Sequence, residues 1–186
     1  MVLKLILTGD PAVGKTALKN VYLGNPFRSN YIMSLGAEFS LKTMTLPPSG
    51  SYEGGPAKFQ IFDLAGQPSF ERVRSLYYKG IHGVIIIYDL AREETLESTT
   101  QWLVRVQEQN TEPFAVVLVG NKLDLRPTVD NCLGTQAGRD QAGQLVKTTG
   151  LDVSFIETSA LENTHVKECF ELAGLNSVVT ALEGDL

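Results

Sequence analysis

Sulfur and imidazole are scarce in this chain. Two cysteines, Cys132 and Cys169, in 186 residues are too few and too isolated for a disulfide framework, and fit a reducing compartment. Two histidines, His82 and His165, give little to a metal centre. His165 and Cys169 stand four apart on a helical stretch, but no further Cys or His ligand lies nearby, so they read as an ordinary polar residue and a buried thiol. Basic excess is also missing: the formal net charge is -5, which argues against a general nucleic-acid binder. No apolar run approaches the roughly 20 residues of a membrane span, and no charged, apolar and cleavable leader opens the chain. Residue 2 is Val rather than the Gly needed for myristoylation, and the final ALEGDL offers no cysteine to prenylate. The expectation is a protein without an anchor of its own in this sequence, cytoplasmic, reaching membranes through partners or through a tail absent from these residues.

What is present is an ordinary globular balance, 43% hydrophobic and 20% charged, in a length that suits one domain over 1–186. Val2 to Thr8 is an apolar run followed by a glycine-rich loop and then a helical stretch from Lys15 to Leu23. Val84 to Tyr88 and Phe114 to Val119 are short and β-branched, as parallel strands buried on both faces are. Val153 to Ile156 is a further strand. Helical segments over Glu94 to Gln109, Thr135 to Thr148 and Asn163 to Leu182 alternate with them, which predicts an α/β fold. Phe39 to Leu46 and Lys58 to Phe62 break the alternation. They flank PPSGSYEGGP and predict a long-looped hairpin, so one strand should run antiparallel to the rest.

Four loops carry the chemistry. Gly9 to Thr16, GDPAVGKT, matches G-x-x-x-x-G-K-[ST] between a strand and a helix. Main-chain N–H groups from Ala12, Val13, Gly14, Lys15, Thr16 and Ala17 can converge on phosphate oxygens at a helix N-terminus. Lys15 adds a full charge, and the Thr16 hydroxyl can ligate Mg2+. Pro11 precedes that run of donors, so its missing N–H is no loss to the cradle. DLAGQ, Asp63 to Gln67, ends another strand. Asp63 is placed to hold Mg2+, Gly66 to offer its N–H to a γ-phosphate, and Gln67 to orient an attacking water through its amide. NKLD, Asn121 to Asp124, supplies a carboxylate that can accept from both N1–H and the 2-amino group of guanine. Adenine offers no such pair. The stem of Lys122 can lie along the nucleotide. ETSA, Glu157 to Ala160, closes the set, with Ser159 shaping a turn whose Ala160 N–H can meet guanine O6.

With these motifs in order, the chain resembles a small GTPase of the Ras superfamily, most closely the Rab family, over residues 2 to about 182. YIMSLGAEFSLKT, YYKGIHGVIIIYDL and Gln101-Trp102-Leu103 follow the Rab pattern, while GDPAVGKT is nearer the Rho version apart from its proline. The resemblance implies a P-loop fold with a six-stranded, mostly parallel sheet, one antiparallel strand and helices on both faces. It implies a monomeric switch that binds GTP or GDP with Mg2+ and hydrolyses GTP slowly. Effectors, an exchange factor and a GTPase-activating protein are the implied partners, with vesicle trafficking as the setting. Ser34 stands where the family has a threonine that ligates Mg2+ and meets the γ-phosphate. Phe27 stands where an aromatic packs on the base. The hairpin Phe39 to Phe62 and the segment Pro68 to Tyr78 become the surface that effectors read, with Leu35 and Phe70 as apolar contacts.

Three departures qualify the resemblance. Pro11 lies beside the γ-phosphate position, where bulk opposes an incoming arginine finger. Pro68 replaces an acidic residue and drives Gln67 towards extended backbone. Leu161 replaces a lysine beside the base, which favours faster nucleotide release. Two alternatives stay open beside the timed switch. One is a GTP-locked scaffold of the same fold. The other is a P-loop kinase or ATPase, which Asn121 and Asp124 oppose.

Overall fold

The computed structural model describes residues 2–27 and 36–184. Its centre is a six-stranded sheet in the order β2-β3-β1-β4-β5-β6. The strands are β1 (Val2–Thr8), β2 (Ala37–Leu46), β3 (Gly55–Leu64), β4 (Gly83–Asp89), β5 (Ala115–Asn121) and β6 (Val153–Thr158). All neighbouring pairs are parallel except β2 with β3, which is antiparallel, as the hairpin pattern predicts. The helices are α1 (Lys15–Tyr22), α2 (Glu71–Tyr78), α3 (Glu93–Glu97), α4 (Thr99–Gln109), α5 (Thr135–Thr149) and α6 (Val166–Gly184).

The central strands are mostly apolar, with both faces covered. Every residue of β4 and β5 is buried. Leu5, Leu7, Ile85, Ile87, Val117 and Val119 point to one face and pack with Leu18 and Phe170 of α1 and α6. Ile6, Val84, Ile86, Val116 and Leu118, one residue out of step, point to the other and meet Tyr78, Trp102, Leu103 and Leu145. The period of two along each strand thus builds two cores from one sheet.

Helix boundaries moved where local chemistry overrode the apolar pattern. The stretch expected as one helix from Glu94 is two, α3 and α4, interrupted at Ser98. The last helix begins at Val166 rather than Asn163, because Asn163 and His165 adopt left-handed backbone, φ 56° and 53°. The hairpin loop folds back on itself through a Ser49–Tyr52 bridge and sits near Val179 of α6. None of the described helices is long and apolar enough to cross a membrane.

Parallel strands all end on the same edge, and the registers set the site residues level with one another. Asp63 pairs with Leu7, Asp89 with Asn121, and Asn121 with Thr158. The loops after β1, β3, β5 and β6 therefore open together at the carboxyl ends of the strands, where ligands of open α/β sheets bind.

Candidate nucleotide-binding site

The phosphate loop is built by steric necessity. Gly9 has φ +138°, and a Cβ there would stand 2.2 Å from the Ile87 carbonyl oxygen. Gly14, at φ +101°, would put a Cβ 2.2 Å from Asn121 Nδ2. Ala12 is also left-handed, φ 63°, and exposed at the loop tip. Left-handed residues between right-handed ones turn successive N–H groups inward, the concavity that binds anions. Val13 is fully buried, so its side chain belongs to the core and only its main chain faces the loop.

Lys15 lies across this loop, its ammonium donating to the carbonyls of Gly9 (2.9 Å) and Asp10 (2.7 Å). An ammonium has three protons, so one remains for a phosphate oxygen. Burial pushes Lys15 down to about 8, against the pull of Asp63 and Asp10, while Arg74 and Arg92 add to the push. Gly66 closes on the loop from the other side. A Cβ there would fall 2.6 Å from Gly9 O and 2.8 Å from Lys15 Nζ, so only glycine admits this approach.

The Thr16 hydroxyl donates to Asp63 Oδ2 at 2.5 Å. Asp63 is fully buried, and its Oδ1 has no hydrogen-bond partner among the described residues. Burial holds its carboxyl above the ordinary range, opposed by the Thr16 bond and by Lys19 and Lys15. A buried carboxylate with an unmet oxygen beside a threonine hydroxyl fits a small hard cation. Carboxylate and hydroxyl oxygens suit Mg2+, which keeps waters and completes its shell with substrate phosphates. Thr16 and Asp63 would hold such an ion, whose charge would neutralise phosphate oxygens.

At the far end of the site, Ser159 Oγ donates to Asp124 Oδ1 at 2.5 Å, fixing the carboxylate expected to read guanine. Ser159 is fully buried and Ala160 nearly so, 4% exposed. Asn121 sits between the phosphate loop and the base loop. Its Nδ2 donates to Val13 O (2.9 Å) and its Oδ1 accepts from Thr158 Oγ1 (3.1 Å), so it braces the phosphate loop against the base loop. Lys122 has its ammonium on Asp89 Oδ2 at 2.7 Å. Burial raises Asp89, but bonds from Lys122, Ala91 and Arg92 outweigh it and leave the carboxyl below its ordinary value. Phe27 is 38% exposed and outside both cores. Leu161 is exposed beside the base loop. Ser34 and Leu35 lie outside the described residues.

Several participants escaped sequence reasoning. Lys19 is fully buried and reaches Glu38 at 2.7 Å and Asp63 at 3.9 Å. Its place four residues after Lys15, on the same face of α1, was the available signal. Arg92 donates to Asp89 and to Pro11 O (3.0 Å), so the proline carbonyl is tethered. Asp10 accepts from Ser98 Oγ (2.5 Å) and Trp102 Nε1 (2.8 Å), so the junction of α3 and α4 is tied to the phosphate loop. Gln67 has φ -66° and ψ 142°, the extended backbone that Pro68 favours. Phe70 is half-buried; the exposed apolar side chains of this region are Phe39, Leu41, Val73 and Leu76.

A glycine-built phosphate loop, a strand-end aspartate and a separate base loop at one sheet edge define a P-loop nucleotide-binding protein. Comparison with known proteins narrows the class. The model of the Ras family matches residues 4–178. Ras-related protein RABA5e of Arabidopsis thaliana is 38% identical over 173 residues, 93% of this chain and 73% of that protein. RABA5d of the same plant is 37% identical over 169 residues, 91% of this chain and 71% of that protein. Ras-related protein Rab-15 of Homo sapiens is 34% identical over 167 residues, 90% of this chain and 72% of that protein. The chain belongs to the Ras family of small GTPases and is most similar to its Rab members. Members of the family bind guanine nucleotide and hydrolyse GTP.

Proposed function

We propose that residues 1–186 form a single G domain acting as a timed switch, holding GTP or GDP with Mg2+ and hydrolysing GTP slowly. One observation carries the reading: Lys15, Thr16, Asp63 and Gly66 converge on one spot, where Asp63 keeps a buried oxygen without a partner. Main-chain N–H groups from Ala12 to Ala17 cradle the phosphates, and Thr16, Ser34 and Asp63 hold the ion. Gly66 offers its N–H to the γ-phosphate, Gln67 orients the attacking water, and Lys15 steadies the charge that develops on the phosphoryl oxygens. Asp124, Ser159 and Ala160 select guanine, Phe27 covers its face, and Asn121 and Lys122 act through the loops they brace.

Loss of the γ-phosphate would release Ser34 and Gly66 together, and with them the surfaces they anchor. The readable surface is an aromatic run in which Phe39 lies 5.7 Å from Phe62, and Phe62 5.3 Å from Tyr77, bordered by exposed Leu41 and Leu76. Effectors, an exchange factor and an activating protein are the partners this arrangement serves. Membrane trafficking in the cytoplasm is the setting that the Rab relatives indicate.

The test is single-turnover hydrolysis of GTP-loaded protein with Mg2+, beside Pro11→Gly and Gln67→Leu. Slow turnover that Gln67→Leu cuts to a small residual rate supports the timed switch. Wild type as inert as Gln67→Leu, with activity recovered in Pro11→Gly, would establish the GTP-locked scaffold instead. The extended backbone at Gln67 is the feature that favours that second reading.

A further inference from the structure

Arg74 is an arginine where solvent has almost no access, 2% exposed, in the middle of α2. Its Nη1 donates to the Ala65 carbonyl at 2.7 Å and to the Gln67 carbonyl at 2.6 Å. Those two residues flank Gly66. The guanidinium carbon lies 4.8 Å from the centre of the Trp102 ring, a stacked cation–π position. Trp102 in turn holds Asp10 Oδ1 through its indole N–H, and the Asp10 carbonyl accepts from Lys15. One continuous chain of contacts therefore runs from the turn that carries Gly66 and Gln67, through Arg74, Trp102 and Asp10, to the phosphate-loop lysine.

We infer that Arg74 is a positioning residue for hydrolysis, clamping the Ala65–Gln67 turn to the phosphate loop so that Gly66 and Gln67 face the γ-phosphate. The inference rests on the proposed role of Gln67. If docking α2 were the whole role, the guanidinium would have no reason to take both carbonyls around the one glycine that touches the phosphate loop. A fork with two donors on one nitrogen fixes the turn in direction as well as distance. The extended Gln67 imposed by Pro68 exposes its carbonyl to this clamp. A displacement of about 1 Å at a reacting group costs on the order of a hundredfold in rate, so the clamp is worth testing as kinetics.

The experiment measures single-turnover GTP hydrolysis and fluorescent-GDP release for wild type, Arg74→Met, Arg74→Lys, Gln67→Leu and the Arg74→Met/Gln67→Leu double variant. Arg74→Met is expected to slow hydrolysis by about ten- to a hundredfold with nucleotide release unchanged. In the Gln67→Leu background it should cost nothing further, because both changes remove one positioned group. Arg74→Lys keeps charge and stem but not the fork, and should recover only part of the rate. Should Arg74→Met fail to fold, Arg74→Lys is judged by the same two measurements. Wild-type hydrolysis in Arg74→Met beside a strongly slowed Gln67→Leu overturns the inference alone. So does an equal loss in both backgrounds, or a loss of hydrolysis that merely follows faster nucleotide release. Gln67→Leu turning over at the wild-type rate overturns the proposed role of Gln67, and the inference with it.

Discussion

Lys15 is the residue at which burial and function meet most directly. Its ammonium is held below the ordinary lysine range, at about 8, because its surroundings exclude water. Phosphate favours the charged form, so bound Lys15 titrates higher than free Lys15. Nucleotide affinity is then complete below about 8 and declines as pH rises from there towards the bound value, by up to about tenfold per unit. Titration of fluorescent GDP across about pH 7 to 9, where guanine keeps its N1 proton, checks this. A flat profile in wild type would contradict it, and Lys15→Met should bind weakly and show no slope. The sequence gives Lys15, Thr16 and Asp63 away by motif, because their chemistry depends on local spacing. It gives no comparable sign of Arg74, Lys19 or Arg92. Each of these charges is tied to a group on a separate loop or strand, and the pairing exists only once the sheet has brought them together.

At the scale of elements, the base-reading loop is fastened by a clamp of its own. Arg126 meets both carboxylate oxygens of Glu157, at 3.0 and 2.5 Å, and also donates to the Leu133 carbonyl at 2.8 Å. Thr135, the first residue of α5, donates to the same carboxylate. The turn after β5, the start of α5 and the end of β6 are thus held at one point. The pair is partly buried and bidentate, which distinguishes it from surface ion pairs of little consequence. Arg126→Ala should accelerate release of fluorescent GDP by about tenfold, the equivalent of roughly 1.4 kcal/mol. An unchanged release rate would mean that the turn holds itself. Through Leu133 and Thr135 the clamp also draws in part of the stretch PTVDNCLGTQ, residues 127–136. Strands were legible because apolar runs leave few alternatives. The tie between the α3–α4 junction and the phosphate loop was not, since Ser98 bonds Asp10, a residue far away in sequence.

For the molecule as a whole, a buried carboxylate with an unmet oxygen is a cost that nucleotide and Mg2+ would relieve. Saturation at a thousandfold over Kd stabilises by about 4 kcal/mol, which for a chain of this size is on the order of 8 to 16 °C in Tm. A thermal melt with GDP and Mg2+ should rise by that amount and fall back on chelation with EDTA. ATP in place of GDP should leave Tm unmoved. Equal shifts from both nucleotides would remove guanine selection by Asp124. The sheet itself is unevenly secured: β4 and β5 are bonded on both sides and buried throughout, whereas β2, among the described strands, is bonded to β3 alone and bears the exposed Phe39 and Leu41. Opening such an edge requires less than global unfolding. In hydrogen exchange its outward amides belong to the fast class, and those of β4 to the slowest. The surface proposed for partners is therefore also the strand expected to breathe, and a partner bound there should slow the clock of that one strand while leaving the centre of the sheet untouched.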